Sequence, residues 1–188
     1  MIRSFDFCFA FFGLLLLSPV LVMVAFLVWL EGGSPLFFQD RVGRHQKPLK
    51  LVKFRTMRQG TASVATHLVD ASAITFVGRL LRYSKLDELP QLWNVLCGDM
   101  SLVGPRPGLQ SQVELTLNRE AHHVYEVKPG ITGLAQTKGY RGEIKSDEDI
   151  VNRVKYDIFY IKNWSFLLDV KIIFQTVWLM VFGDKKAY

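Results

Sequence analysis

From Phe7 to Leu30 the sequence carries no charge and a single clearly polar residue, Ser18. No other stretch narrows the possible folds so strongly. Twenty-four residues in helical form reach about 36 Å, slightly more than the roughly 30 Å of a bilayer's hydrocarbon, so length alone permits a span. A cleaved secretory leader fits less well, because the run exceeds the usual leader core and only Arg3 precedes it as a positive charge; the run is read as retained. Ser18-Pro19 interrupts its middle. Proline donates no backbone hydrogen bond and crowds the preceding turn, which leaves two readings open. One is a spanning helix with a mild kink. The other is a re-entrant hairpin whose halves of about 12 residues, roughly 18 Å each, reach the middle of the bilayer and return to the same face. In the hairpin, Ser18 would satisfy the carbonyls that Pro19 frees.

The formal net charge is +6, and it is spread unevenly: Arg41, Arg44, Lys47, Lys50, Lys53, Arg55 and Arg58 all follow the apolar run. Such a segment stays on the cytoplasmic side. Its plainest role is contact with anionic lipid headgroups. No recognition motif accompanies the charge, so nucleic acid is not an expected partner. With 188 residues, 49% of them hydrophobic, the chain can bury one real core but not two. The expected division is a membrane hairpin over 1–34 and a cytoplasmic-face domain over 35–188. Cys8 and Cys97 are expected to be buried, reduced thiols. His45, His67, His122 and His123 are scattered without ligand spacing, so no structural zinc is expected.

The expected architecture is mainly α with one small β-hairpin. "LFFQDRVGRHQKPLKLVKFRTM" predicts that hairpin, around a Gly, Lys and Pro turn, and residues 59–73 read as a small, polar loop. Leu109, Val113, Leu117, Ala121 and Val124 recur at helical spacing and predict one amphipathic helix over 108–127. "KPGITGLAQTKGYRGE" reads as loop, and "DEDIVNRVKYDIFYIKN" as a further helix. Trp164 to Phe182 is strongly apolar but contains Asp169 and Lys171, so it predicts an interfacial or packed amphipathic helix over 164–182, not a second span.

"KLDELPQLW" sets two adjacent carboxylates, Asp87 and Glu88, just before a proline. Leu89, Leu92, Trp93 and Leu96 form one apolar stripe of a helix that ends at Cys97, with Gly98 as its stop; proline is tolerated only in a helix's first turn, so Pro90 marks where that helix begins, and the acidic pair belongs at its N-terminus. Capping explains the pair blandly. A chemical reading also fits, since unpaired N–H groups keep an aspartate ionised and attract phosphate, as a carboxylate that attacks phosphorus requires. Arg79 and Arg82 precede the pair. Arg106 follows between Pro105 and Pro107, which fix its direction; it is either a turn residue in solvent or a phosphate ligand.

"SPV", "KFRTM", "LDELPQLWNVLCGDMSLVGPRP", "KPGITGLAQ" and "YDIFYIKNWSFLLDVKIIFQT" together resemble, in order and over nearly the whole chain, the bacterial sugar transferases, the monotopic phosphoglycosyl transferase family. The resemblance implies transfer of a hexose 1-phosphate from a UDP-sugar to undecaprenyl phosphate, at the cytoplasmic face of the bacterial inner membrane. That step initiates an exopolysaccharide, capsule or O-antigen-type glycan. By resemblance Asp87 is the nucleophile that forms a phosphosugar-enzyme intermediate, Glu88 helps hold Mg²⁺, and Arg82 and Arg106 bind phosphate. Lys53 and Arg55 of "KFRTM" join the substrate-binding set. The family's Ser-Pro break maps to Ser18 and Pro19 and favours the re-entrant hairpin. "KGYRGE" and the closing "AY" look most like the glucose 1-phosphate subgroup, with galactose 1-phosphate the alternative. Larger members carry an N-terminal multi-span region absent from this sequence, which implies a minimal form or a fragment. Gly108 and "QTKG" also depart from the commoner pattern. A rival from another class is a non-catalytic, membrane-anchored lipid-binding scaffold whose acidic pair only caps a helix. Oligomeric state is not legible.

Overall fold

The apolar run folds as α1 (Ile2–Leu30), one helix of 29 residues that continues through Pro19. It is long and apolar enough to cross a membrane. The expected two-armed hairpin is not seen. Pro19 withdraws the donor owed to the Leu15 carbonyl four residues back, and Ser18 Oγ donates to that same carbonyl at 2.8 Å, so the helix loses little at this point. Asp6, Ala10, Leu14, Leu17, Leu21, Val24 and Val28, spaced by three and four, form a stripe packed against the rest of the protein. The opposite face is exposed and apolar, with Phe12, Leu16, Met23 and Phe26 among its residues. Both ends are tied to the same body: Asp6 accepts from Ser101 Oγ and the Leu102 N–H, and Glu31 accepts from the Val77 N–H.

The structure, a computed structural model, describes residues 2–61, 70–142 and 144–182. His67, most of the loop expected over 59–73, Glu143 of "KGYRGE" and the closing Ala187-Tyr188 lie outside the described residues. β1 (Leu36–Val42) and β2 (Pro48–Phe54) form the expected antiparallel hairpin, in register from Leu36 opposite Phe54 to Val42 opposite Pro48. α2 (Phe76–Ser84) starts at Thr75, whose side chain accepts from the Gly78 N–H. A Cβ on Gly78 would strike the Thr56 carbonyl, so glycine lets this helix lie directly on the end of the hairpin.

α3 (Gln91–Cys97) is stopped by Gly98 at φ 87°, as its glycine predicts. Its buried Asn94 accepts from the Val52 N–H and donates to the Lys50 carbonyl, joining α3 to β2. Two expectations fail here. Trp93 does not share the buried face with Leu92 but is 56% exposed. Cys97 and Cys8 are free but exposed, since α3 buries the face bearing Leu92, Asn94 and Val95, and Cys8 lies off the packed stripe of α1.

The loop expected at "KPGITGLAQ" instead holds β4 (Gly130–Thr132), parallel to β3 (Ser101–Val103), and the one-turn helix α5 (Leu134–Thr137). The glycines are there for approach, not looseness: a Cβ on Gly130 would collide with the Gly104 nitrogen, and one on Gly133 with the Gly104 carbonyl. α4 (Val113–Ala121) is shorter than the helix expected over 108–127. Its upstream residues are drawn into a tertiary contact, the Val42 N–H donating to the Gly108 carbonyl. Downstream, His123 in the left-handed region breaks it from a short turn over Val124–Glu126. α6 (Asp147–Lys162) is capped by Ser146, and α7 (Phe166–Phe182) packs back on the core through Ile172. Asp169 of α7 points inward and accepts from Tyr160 Oη and Trp164 Nε1, which explains a charge within so apolar a helix. Ala10 of α1 and Ile172 of α7 share one core with Leu51, Met100 and Leu102, so the two apolar helices are part of the folded body.

Candidate active site

Lys85, at φ 59°, ends α2 and reverses the chain. Asp87 and Glu88 follow in a tight turn over Leu86–Glu88, and Pro90 is the N-cap of α3. Proline therefore marks the helix start as expected, but the pair lies in its own turn ahead of α3, not in the first turn. The turn winds with i+3 hydrogen bonds, Leu89 N–H to Leu86 O and Trp93 N–H to Pro90 O. Pro90 has no side-chain cap hydrogen bond, so neither acid is used as the cap of α3.

Glu88 is gripped from two sides. Its Oε1 accepts from Arg106 Nη2 at 2.6 Å and its Oε2 from Arg141 Nη2 at 2.6 Å. Burial alone would push this carboxyl up; the Arg106 and Arg141 guanidiniums overcome that and hold it well below the usual glutamate range. Arg106 is itself rigidly placed. The carbonyls around it accept in turn from the Gly130 N–H (Pro105), Arg119 Nη1 (Arg106), Arg41 Nη1 (Pro107) and the Val42 N–H (Gly108). Arg119 is fixed by Asp157, at 2.6 Å from Nη2 and 3.0 Å from Nε, with both side chains only 2% exposed. The Pro-Arg-Pro backbone is thus held by β1, β4 and α4, with α6 behind.

Asp87 is in a different state from its neighbour. Burial first, then the charge of Glu88, raise its carboxyl to about 6, against the pull of Lys53, Arg82 and Arg141. Lys53 is lowered to about 8, chiefly by burial and then by Arg41, while Glu88 and Asp87 oppose the shift. Arg82 is held by Nε donating to Thr56 Oγ1 at 2.8 Å, and its interaction with Asp87 favours its charge. Lys53, Arg82 and Arg106 therefore surround the acidic pair. Arg55 stands apart: it donates to the Ser34 and Leu36 carbonyls and lies 5.6 Å from the Phe37 ring centroid, securing the segment after α1.

Sequence reasoning missed Arg41, Arg141, Arg119 and Asp157. Arg141 sits in a glycine-rich stretch 53 positions from Glu88, and nothing local marks it. Arg119 and Asp157 left no clear signal: α4 buries Leu115 and Arg119 and exposes the expected Val113 and Leu117 stripe, and Asp157 shares its buried face with the charged Arg153. Lys85, Glu88 and Arg141 also line a pocket of about 280 Å³ together with residues of α3, β4, α5 and α7.

One carboxylate neutralised by two guanidiniums stands beside another whose pKa is raised by burial, within a frame of cations. Fold and site together define a mainly helical protein with one helix long and apolar enough to cross a membrane and a carboxylate pair set among cationic side chains. The chain belongs to the bacterial sugar transferase family, whose profile matches residues 1–183. It is 43% identical over 180 residues to a UDP-glucose:undecaprenyl-phosphate glucose-1-phosphate transferase of Klebsiella pneumoniae, a match covering 93% of this chain and 38% of that protein. It is 35% identical over 199 residues to a UDP-galactose-lipid carrier transferase of Erwinia amylovora, covering 97% and 40%. It is 40% identical over 184 residues to an exopolysaccharide production protein, PSS, of Rhizobium leguminosarum bv. phaseoli, covering 93% and 92%. The chain therefore spans about two fifths of the first two relatives and nearly all of the third.

Proposed function

We propose that this chain transfers a hexose 1-phosphate from a UDP-sugar to undecaprenyl phosphate at the cytoplasmic face of the bacterial inner membrane, initiating an exopolysaccharide-type glycan. The observation that carries the reading is the division between Asp87 and Glu88. At about 6, Asp87 is roughly nine-tenths ionised at neutral pH, is held by no stronger charge than its surrounding cations, and is free to attack. Glu88 is committed to Arg106 and Arg141. An Asp87 carboxylate oxygen bonds to the sugar-bearing phosphorus as the bond to the bridging oxygen breaks, and UMP leaves with that electron pair. An oxygen of undecaprenyl phosphate then bonds to the same phosphorus and the Asp87 carboxylate departs unchanged. No proton is needed at either step. Lys53, Arg82 and Arg106 offset charge on the diphosphate, without which an anionic nucleophile could not approach.

Mg²⁺ fits this site through Glu88, with substrate phosphates completing its shell. Among the described residues no three His, Cys, Asp or Glu side chains gather. While Asp87 stays free as the nucleophile, Glu88 would hold the cation through lone pairs that the arginines leave over. When bound it supplies charge neutralisation on the diphosphate.

The membrane reading is monotopic. It is supported by α1, whose two ends are bound to one body through Asp6 and Glu31 while its outer face stays apolar. A helix so tied meets lipid with its outer face and keeps both ends on the side of the body. Glucose 1-phosphate is favoured over galactose 1-phosphate, in line with the higher identity to the UDP-glucose relative.

The test is UMP release from a panel of UDP-sugars with undecaprenyl phosphate in nanodiscs. Turnover is expected with UDP-glucose and none with Asp87→Asn, which keeps its membrane association. Wild-type turnover by that variant refutes the nucleophile assignment.

A further inference from the structure

We infer that the pocket between α3, β4, α5 and α7 receives the lipid acceptor, its phosphate at Arg141 and its first isoprene units against Leu92, Ile131 and Leu179. The inference rests on the transferase reading above and adds where one of the two substrates binds. The pocket lining is mixed: Lys85, Glu88 and Arg141 are its charged residues, and Leu92, Ile131 and Leu179 are among the apolar residues that make up most of the rest. An anionic head joined to a hydrocarbon tail matches that combination, whereas a UDP-sugar, polar at both ends, does not. Glu88 and Arg141 of the lining both act electrostatically on Asp87, so an acceptor phosphate seated at Arg141 lies near the carboxylate that carries the sugar phosphate.

The second observation concerns α7. Its residues Thr176, Leu179, Met180, Val181 and Phe182 line the pocket, while Phe174, Val177 and Trp178, which do not, are exposed and apolar. The same helix is thus a pocket wall on one side and a lipid-type surface on the other. Thr132 and Thr176 share a hydrogen bond of 2.6 Å, and Thr176 donates to the Ile172 carbonyl, so Thr132 is the donor between them. This bond fixes α7 against β4 and with it the width of the opening. Size agrees too. A volume of about 280 Å³ lies at the lower end of ligand pockets, about 300–1,000 Å³, which suits a phosphate and the first few carbons of the tail. The rest of a long polyprenol continues along α7 into the bilayer.

The experiment uses the whole chain in nanodiscs, with UMP release measured while undecaprenyl phosphate and UDP-glucose are varied separately. Leu179→Trp fills the apolar wall without touching the acidic pair. The KM for undecaprenyl phosphate is expected to rise about tenfold or more, the usual cost of misshaping an apolar pocket, with the KM for UDP-glucose unchanged. A rise confined to UDP-glucose, or in neither, overturns the inference. A wild-type protein that releases no UMP from any UDP-sugar overturns the transferase reading itself and the inference with it. Photocrosslinking of the wild-type protein with a benzophenone-bearing polyprenyl phosphate decides independently of how that variant folds. Adducts are expected on peptides of α3 or α7, and adducts confined to α1 refute the site.

Discussion

Asp87→Asn is expected to abolish turnover and, at neutral pH, to make the protein more stable. In the fold the carboxyl stands at about 6 against an ordinary 3.8, burial being the first cause and Glu88 the second. A carboxyl raised on folding contributes stability that is fully present below its unfolded value and is lost as pH rises through its folded one. The difference of about two pKa units, at about 1.4 kcal/mol each, means that the ionised aspartate costs about 3 kcal/mol above pH 6. The opposing pull of Lys53, Arg82 and Arg141 is already contained in that figure. Asparagine has nearly the same shape and no charge, so it removes this cost. For a chain of this size about 3 kcal/mol corresponds to a rise in Tm of about 6–12 °C. The gain should fall to about half at pH 5 and approach zero near pH 3, where both side chains are neutral. Thermal unfolding followed by tryptophan fluorescence in nanodiscs at about pH 7.5 and about pH 5 measures it. No gain at the higher pH, or an equal gain at both, would refute the assignment of Asp87 as a strained, ionised group.

The same two groups set an expected pH profile: kcat/KM should rise through about 6 as Asp87 ionises and fall above about 8 as Lys53 loses its proton, and a flat profile across that window would exclude both roles. Asp157→Ala strands Arg119 in a site where both side chains are 2% exposed. It should cost about 3–5 kcal/mol, seen as a lower Tm, and should loosen the Arg106 loop enough to reduce kcat/KM in whatever protein remains folded. An unchanged Tm would mean that Arg119 finds another anion or water.

Local physics made much of the scaffold legible. The "LFFQDRV" and "PLKLVKF" pattern marked the hairpin, Pro90 marked the start of α3 and Gly98 its end, and the apolar run after Trp164 marked the helix α7. Each of these depends on residues within a few positions of one another. The failures share a cause. "KPGITG" looked like loop because its partner, Ser101–Val103, lies almost thirty positions earlier, and a three-residue parallel strand has no period of its own. The helix over 108–127 was overlong because the Gly108 carbonyl is taken by Val42, which no helical spacing reveals. Cys97 and Trp93 went to the surface because a helix of only seven residues has room to bury just one face.

By itself the sequence determined that an apolar helix would sit beside a mainly helical body, where the acidic pair would stand, and that Arg106 would have a preset direction. These follow from hydropathy, proline geometry and turn chemistry, which act over one or two turns of chain. Only the tertiary structure decided what the two acids are. Glu88 is committed because Arg106 and Arg141 converge on it from 18 and 53 positions away, and Asp87 stays poised because burial and its neighbour's charge outweigh the cations around it. The contacts of α1 were decided at the same level: Asp6 and Glu31 tie its ends to the body, which hydropathy does not register. Charges acquire their roles from neighbours brought together across the fold, and that convergence has no local pattern to read.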